Sequence, residues 1–309
     1  MSSIIIIGSL NADLISSTRR LPAPGETLAM KSFSTAPGGK GANQAVACGR
    51  LSSPRTSVSM IGRVGTDPYA SLLRTEVSAA HVDISKITTV PGPTGTAIII
   101  VEEGGDNRIL INPGANGSFS QGDFPDDFFK GQEGAVLVMQ LEIPFPVVLK
   151  LLRLAKQSGV RTVFNPAPAS HLPVDHYPYM EWFIVNETEA AMLTGVESEE
   201  LESEEGARKA VNTFLERGAE NVVVTLGGRG CVWGSKAGES GKCGVKGTGE
   251  VIDTTGAGDT FVGALAVAIV EGKTKEGSIE WASKASGVAV RKKGAMAGVP
   301  WRKEVDSSE

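Results

Sequence analysis

Residues 253 to 261 read Asp-Thr-Thr-Gly-Ala-Gly-Asp-Thr-Phe, and an apolar, Ala-rich stretch follows directly. Gly256, Ala257 and Gly258 are small enough to turn the chain sharply, leaving bare N–H groups at the opening of a helix expected over about 259 to 270. The unpaired donors and positive dipole end of a helix start bind anions such as phosphate. Asp259 stands beside that site. A carboxylate opposes simple anion binding. It suits a reaction in which it takes a proton from a hydroxyl while the amides steady the phosphoryl group under attack. Gly-x-Gly-Asp is also a common turn closed by an Asp cap, so its meaning depends on what else the chain carries.

Five other segments carry chemistry. Residues 37–47, Pro-Gly-Gly-Lys-Gly-Ala-Asn-Gln-Ala-Val-Ala, are Gly-rich and run into a small-residue helix. They lack the Ser or Thr that follows the Lys of a Walker A loop, and no apolar strand precedes them as in a dinucleotide fingerprint. Gly38 and Gly39 let a ligand approach the backbone, and Lys40 and Asn43 supply donors suited to a polyol. A plain Gly-rich turn is the alternative for this segment taken alone. Asn11-Ala-Asp13 follows the first strand; extended geometry puts its two polar side chains on one face, and an Asx turn is the alternative. Gln140-Leu-Glu142 closes an apolar strand before Pro144, so Glu142 sits at a carboxyl edge, where open α/β sheets bind ligands. Asn186-Glu-Thr-Glu189 ends another strand. Thr225-Leu-Gly-Gly-Arg-Gly230 ends a further one, with the backbone freedom of a nucleotide-binding turn.

The elements that must position these residues alternate. Strands are expected at 4–8, 58–61, 135–140, 162–165, 182–186 and 221–226, several as unbroken apolar runs typical of strands buried on both faces. Helices are expected at 41–51, 68–80, 146–158, 187–193, 204–217, 258–271 and 277–291. The alternation predicts a three-layer α/β/α fold with a mostly parallel central sheet. Residues 11–37 and 93–112 break the pattern. The second reads as a hairpin of 96–101 and 108–112 around a polar, Gly-rich turn. Together they predict a small β-sheet lid on one domain spanning 1–309, whose large part covers 1–10, 38–92 and 113–309.

Composition excludes other classes. With 309 residues and 41% apolar content, the chain can build one large core. A net charge of −5 favours neither nucleic acid nor an anionic membrane. No apolar run approaches a bilayer span, and the N-terminus lacks signal-peptide features. Three cysteines (Cys48, Cys231, Cys243) without close-pair spacing point to a reducing compartment and away from a zinc site. A cytoplasmic protein, or one also in the nucleus, is expected. His81, His171 and His176 have no metal-ligand spacing, which leaves the chemistry to carboxylates, lysine and backbone amides.

Together these segments resemble the PfkB-type carbohydrate kinase family from residue 4 to about 301. The resemblance includes Gly-Ser-Leu-Asn-Ala-Asp at 8–13, Gly-Gly-Lys-Gly-Ala-Asn-Gln-Ala at 38–45, Met-Gln-Leu-Glu at 139–142 and Asn-Pro-Ala-Pro-Ala at 165–169. Asn-Glu-Thr-Glu at 186–189 and Gly-Ala-Gly-Asp at 256–259 complete it. It implies ATP-dependent phosphorylation of the ribose 5-hydroxyl, with Asp259 as base and Gly256, Ala257 and Gly258 as the anion hole. Asn11, Asp13, Gly38, Gly39, Lys40, Asn43 and Glu142 fall on sugar-binding positions. Asn186 and Glu189 fall on the motif linked to nucleotide phosphates and Mg²⁺, and Thr225, Gly227, Gly228 and Gly230 on the adenosine-side loop. Activation by K⁺ is implied, at Asp253, Thr255, Ala289, Lys292, Gly294 and Gly298. Two positions depart from the family pattern. Ser283 stands where a His or Asn often lies near adenine, and Gly298 where a Ser often completes the cation loop. A kinase for deoxyribose or adenosine is the nearest alternative, with Ile98, Ile99 and Ile100 as apolar lid walls for a base; a non-catalytic sugar-binding homologue is the other. The open lid edge predicts a homodimer.

Overall fold

A computed structural model describes residues 2–245 and 249–308. The strands are β1 (Ser2–Ile7), β2 (Asn11–Thr18), β3 (Ser32–Gly38), β4 (Thr56–Val64), β5 (Asp83–Thr89), β6 (Gly95–Glu102), β7 (Asn107–Asn112), β8 (Val136–Met139), β9 (Arg161–Phe164), β10 (Trp182–Asn186), β11 (Asn221–Thr225), β12 (Cys231–Ser235) and β13 (Ser240–Cys243). The helices are α1 (Lys40–Leu51), α2 (Tyr69–Ala79), α3 (Phe145–Gln157), α4 (Glu187–Thr194), α5 (Glu204–Arg217), α6 (Ala257–Val270), α7 (Lys275–Ala289), α8 (Ala295–Gly298) and α9 (Arg302–Ser307).

The run Ile4-Ile5-Ile6-Ile7 explains the layering. Ile4 and Ile6 enter a core shared with α1, α6 and α7, whereas Ile5 and Ile7 enter a second core shared with α3, α4 and α5. A strand that alternates between two cores must be apolar throughout. Each of these isoleucines contributes about 1.5–3 kcal/mol of burial. The central sheet has the order β13-β12-β11-β10-β9-β8-β1-β4-β5. It is parallel from β5 to β11, with Ile4 paired to both Val58 and Val136, and β12 and β13 add antiparallel at the far edge. The three-layer α/β/α expectation is therefore met.

A second sheet runs β3-β2-β6-β7 and takes up the two segments that broke the alternation. Its pairing is mixed: β2 is antiparallel to β3 but parallel to β6, and β6–β7 is the expected hairpin.

Three strands were not anticipated from sequence. β5 reads Asp-Ile-Ser-Lys-Ile-Thr-Thr and is a mostly exposed edge strand, so it carries no apolar run to detect. β12 and β13 are short and rich in Gly and Ser, and they place Cys231 directly across from Cys243. Among the described residues, no helix is long and apolar enough to cross a membrane.

Candidate active site

The carboxyl ends of β1, β8, β10 and β11 and the openings of α1, α4 and α6 converge on one cleft. Asp259 lies in the first turn of α6 and is 7% exposed. It is not a helix cap. The N-cap is Gly256, without a side-chain cap bond, at φ 77° in the left-handed region, where a Cβ would lie 2.9 Å from Ala295 Cα. Only glycine turns there without strain. The Asp259 carboxylate instead accepts from Asn43 Nδ2 at Oδ2 and from Gln44 Nε2 at Oδ1, both at 2.9 Å. The N–H groups of Gly258 and Asp259 belong to the first turn, which no intrahelical carbonyl reaches. The Ala257 N–H donates to Thr254 O at 3.2 Å, so that member of the expected anion hole is engaged within the turn.

One side of Asp259 is built from polar side chains. Glu142 Oε2 accepts from Ser9 Oγ (2.5 Å), from the Lys40 N–H (2.9 Å) and, at the limit of reach, from Asn11 Nδ2 (3.5 Å). Burial raises the Glu142 carboxyl above its ordinary value, against the pull of the Ser9 and Lys40 bonds. Asn11 is oriented from behind by buried Asn116, whose Nδ2 donates to its Oδ1 at 2.7 Å. Asp13 shares the Asn11 face of β2, and burial, then the charges of Glu142 and Asp259, push it up to about 7. Its carboxylate presses on Gly38, where a Cβ would lie 2.2 Å from Oδ2. The glycine expected to admit a ligand thus makes room for Asp13. Lys40 is raised chiefly by the Asp259 carboxylate, burial opposing, with Glu142 and Glu189 adding to the rise. Its side chain lines the next cavity, so Lys40 serves both sides.

That cavity, about 190 Å³, is lined by Lys40, Asn165, Asn186, Glu189, Gly256, Gly258 and Asp259. Asn186 and Glu189 form a reciprocal cap on α4: Asn186 Oδ1 accepts from the Glu189 N–H (2.8 Å), and Glu189 Oε2 accepts from the Asn186 N–H (2.9 Å). Burial raises the Glu189 carboxyl, with Asn186 and Lys40 pulling it back. Asn186, Thr225 and Gly258 are shared with a larger cavity of about 330 Å³. That cavity brings Gly227, Gly228, Gly230 and Ser283 together under apolar walls from Val245, Val251, Phe261 and Val290. Ser283 Oγ donates to Gly244 O at 3.2 Å, so this hydroxyl has a backbone partner.

The predicted cation residues also meet. Asp253 Oδ1 accepts from the Thr255 N–H (2.9 Å) and Oγ1 (2.6 Å), and Oδ2 accepts from the Gly294 N–H (2.8 Å). Partial burial pulls Asp253 upward, but the Thr255 and Gly294 bonds win and hold it below its ordinary value. A Cβ at Gly298 would lie 3.4 Å from Ala289 O and 3.5 Å from Lys292 O, so these carbonyls converge beside the glycine.

Sequence reasoning missed Ser9, Gln44, Asn116, Gln140 and Asn165 as site-supporting residues, although all but Asn116 lie inside motifs it singled out. It also named Ile98, Ile99 and Ile100 together as lid walls. Register pairs Asp13 with Ala97 and Ile15 with Ile99, so only Ile99 shares the Asp13 face; Ile98 and Ile100 point to the other side.

Comparison with known proteins agrees with this geometry. The family model described as pfkB family carbohydrate kinase matches residues 1–302. The chain is 39% identical to the ribokinase of Schizosaccharomyces pombe over 100% of its own length and 98% of that protein. It is 37% identical to that of Haemophilus influenzae, over 98% and 96%. Among solved structures, Arabidopsis thaliana ribokinase complexed with ribose and ATP superposes with a TM-score of 0.88 at 31% identity, covering 99% of this chain and 98% of that one. Thermotoga maritima ribokinase gives 0.87 at 31% identity, covering 99% of both chains.

Proposed function

The chain belongs to the pfkB family of carbohydrate kinases, and from that membership we propose that it acts as a ribokinase, moving the γ-phosphoryl group of ATP to the 5-hydroxyl of D-ribose. The observation that carries this reading is the setting of Asp259. One side of it holds a polar set of side chains suited to a small polyol, and the other holds a helix start and a Gly-lined cavity. Phosphoryl transfer demands positioning and charge stabilisation more than covalent chemistry.

In this reading Asn11, Asp13, Asn43 and Glu142 hold the sugar hydroxyls, with the Gly38–Gly39 turn closing the pocket. The sugar is held with its 5-hydroxyl against Asp259, which accepts the proton as the O–P bond forms. The N–H groups of the 256–258 turn left free by the Ala257–Thr254 bond and the Lys40 ammonium stabilise charge on the moving phosphoryl group. Thr225, Gly227, Gly228, Gly230 and Ser283 take the adenosine end. Residues 1–309 act as one domain, with the β3-β2-β6-β7 sheet as a lid that keeps water from competing as acceptor.

Among the described residues, no group of three His, Cys, Asp or Glu could hold a metal ion by itself. That suits Mg²⁺, which is commonly held by one or two carboxylates, waters and substrate phosphates; Glu189 with Asn186 would face it, and it neutralises phosphate charge when bound. The carbonyls of Ala289 and Lys292, converging beside Gly298, together with Asp253, Thr255 and Gly294, fit a K⁺ ion next to the anion hole. The lid face bearing exposed Phe33, Ile98 and Leu110 is the surface we assign to a homodimer, and the solution molar mass at micromolar concentration, measured by light scattering, tests it. A cytoplasmic location accords with the charge and cysteine content.

ATP-dependent ADP release with purified protein, with and without K⁺, across ribose, 2-deoxyribose, fructose and adenosine tests the function. Fast K⁺-stimulated turnover confined to ribose is expected. Faster turnover with another acceptor overturns the sugar assignment, and no turnover with any overturns the kinase reading. The adenosine alternative is weighed against by the polar side chains from Asn11 to Asn43, not by the lid, whose Asp13 face carries Ile99 together with Ile109 and Ile111 of β7.

A further inference from the structure

Two buried amides have no part in the reading above. Gln44 follows Asn43 in α1 and is 0% exposed, so it does not reach a sugar in the cleft. Gln140 lies just past β8 and is 1% exposed. Gln140 Nε2 donates to Gln44 Oε1 at 2.6 Å. Gln44 Nε2 donates to Asp259 Oδ1 at 2.9 Å and, more weakly, to Asn165 Oδ1 at 3.4 Å. The direction of this chain follows from chemistry. An ionised carboxylate only accepts, so it draws the Gln44 Nε2 toward itself; Gln44 Oε1 then faces Gln140, which must answer with a donor. The Gln140 amide packs closely against Gly8, where a Cβ would lie 2.2 Å from its Oε1, an oxygen with no hydrogen-bond partner among the described residues. The ends of β1 and β8 and the body of α1 therefore hold one oxygen of the carboxylate from behind.

The other oxygen is held differently. Asn43 Nδ2 reaches Oδ2, but Asn43 belongs to the sugar side, and its own Oδ1 is buried without a protein partner among the described residues. Gln44, by contrast, has both amide atoms hydrogen-bonded within the protein.

We propose that Gln44, oriented by Gln140, is a positioning residue for the Asp259 base. It pins Oδ1 so that the carboxylate plane is set before substrate binds, leaving Oδ2 to take the hydroxyl proton. The inference rests on Asp259 being the base of the proposed reaction.

The test is a double-mutant cycle read by steady-state kinetics. Gln44→Met keeps the volume and removes the amide. Its kcat is expected to fall about 10- to 100-fold, the scale of a misplaced catalytic group, while KM for ribose and ATP stays near wild type. Gln140→Met is expected to lower kcat less, again without moving KM. In an Asp259→Asn background, adding Gln44→Met changes kcat no further, because the group it positions is gone. Equal losses in both backgrounds, or a raised KM at unchanged kcat, overturn the proposal. Should Gln44→Met fail to fold, the same cycle with Gln140→Met decides it by the same criteria. Slow Asp259→Asn beside a normal Gln44→Met defeats this inference alone, whereas full kcat in Asp259→Asn defeats the base assignment and this inference with it.

Discussion

The two sides of Asp259 are made of different material. On the sugar side, side chains meet side chains across long stretches of sequence: Ser9 with Glu142, Asn116 with Asn11, and Asn43 and Gln44 with Asp259. On the side proposed for the nucleotide and cation, the bonds named involve backbone N–H groups: the Thr255 N–H and, from 41 positions away, the Gly294 N–H on Asp253, and the local reciprocal cap of Asn186 and Glu189. Its walls include exposed Val245 and Val251. The contrast teaches where discrimination resides. Unpaired buried polar groups are costly, so a network of directed side chains rejects a wrong sugar sharply. A backbone cradle with apolar walls holds phosphates and a base plane with less dependence on any one side chain.

Removing the pivot should break both sides' joint product. Asp259→Asn is expected to lower kcat by at least about 100-fold, the usual scale for a general base, with the fold and ATP binding kept. Near-normal turnover in a folded variant would remove Asp259 from the chemistry. Next in size, Glu142→Ala removes the carboxylate proposed to accept from a sugar hydroxyl, a charged hydrogen bond worth about 1.5–3 kcal/mol, so the ribose KM should rise tenfold or more. The ATP KM should barely move, and the opposite pattern would erase the division drawn between the sides.

A pH test sharpens the comparison further. Asp13 is pushed up to about 7 by burial, Glu142 and Asp259, from an ordinary value of 3.8. Between these values the unfolded chain releases this proton and the folded protein keeps it. The stabilising contribution is therefore full below about pH 4 and lost as pH rises through about 7. Asp13→Asn, nearly isosteric, should melt higher than wild type at pH 8 by on the order of a few °C, and the gain should vanish toward pH 4. A gain independent of pH in sugar-free thermal melts would refute the assignment. The smallest effect belongs to the backbone side. At Gly298 a Cβ meets only ordinary contacts with Ala289 O and Lys292 O. Gly298→Ser should therefore fold normally and reduce the K⁺ concentration for half-activation a few-fold, at unchanged kcat in saturating K⁺. An unaltered K⁺ titration would show that this hydroxyl position is not a ligand.

Much of this was legible in the chain because it is encoded locally. The isoleucine run of β1 signals a strand between two cores, and Gly256 with the Ala-rich stretch after it signals the opening of α6. Asn11 and Asp13 share a face by simple alternation. The exposed edge strand β5 was not legible, since one buried residue among polar ones makes no pattern. The lid walls were misread because a run of three isoleucines does not say which one faces the site; the pairing of β6 with β2 says it.

Local sequence carried most of the elements, their order and the candidate for the base, since caps, turns and periodicity depend on neighbours a few residues apart. The chain folded in three dimensions is needed to bring Gln44 and Asn43 to Asp259 across 215 and 216 positions, and to crowd Asp13 with two other carboxylates. Those meetings follow from the order of strands in the sheet, which no local spacing encodes, and the low-dielectric burial they create is what turns polar side chains into a site.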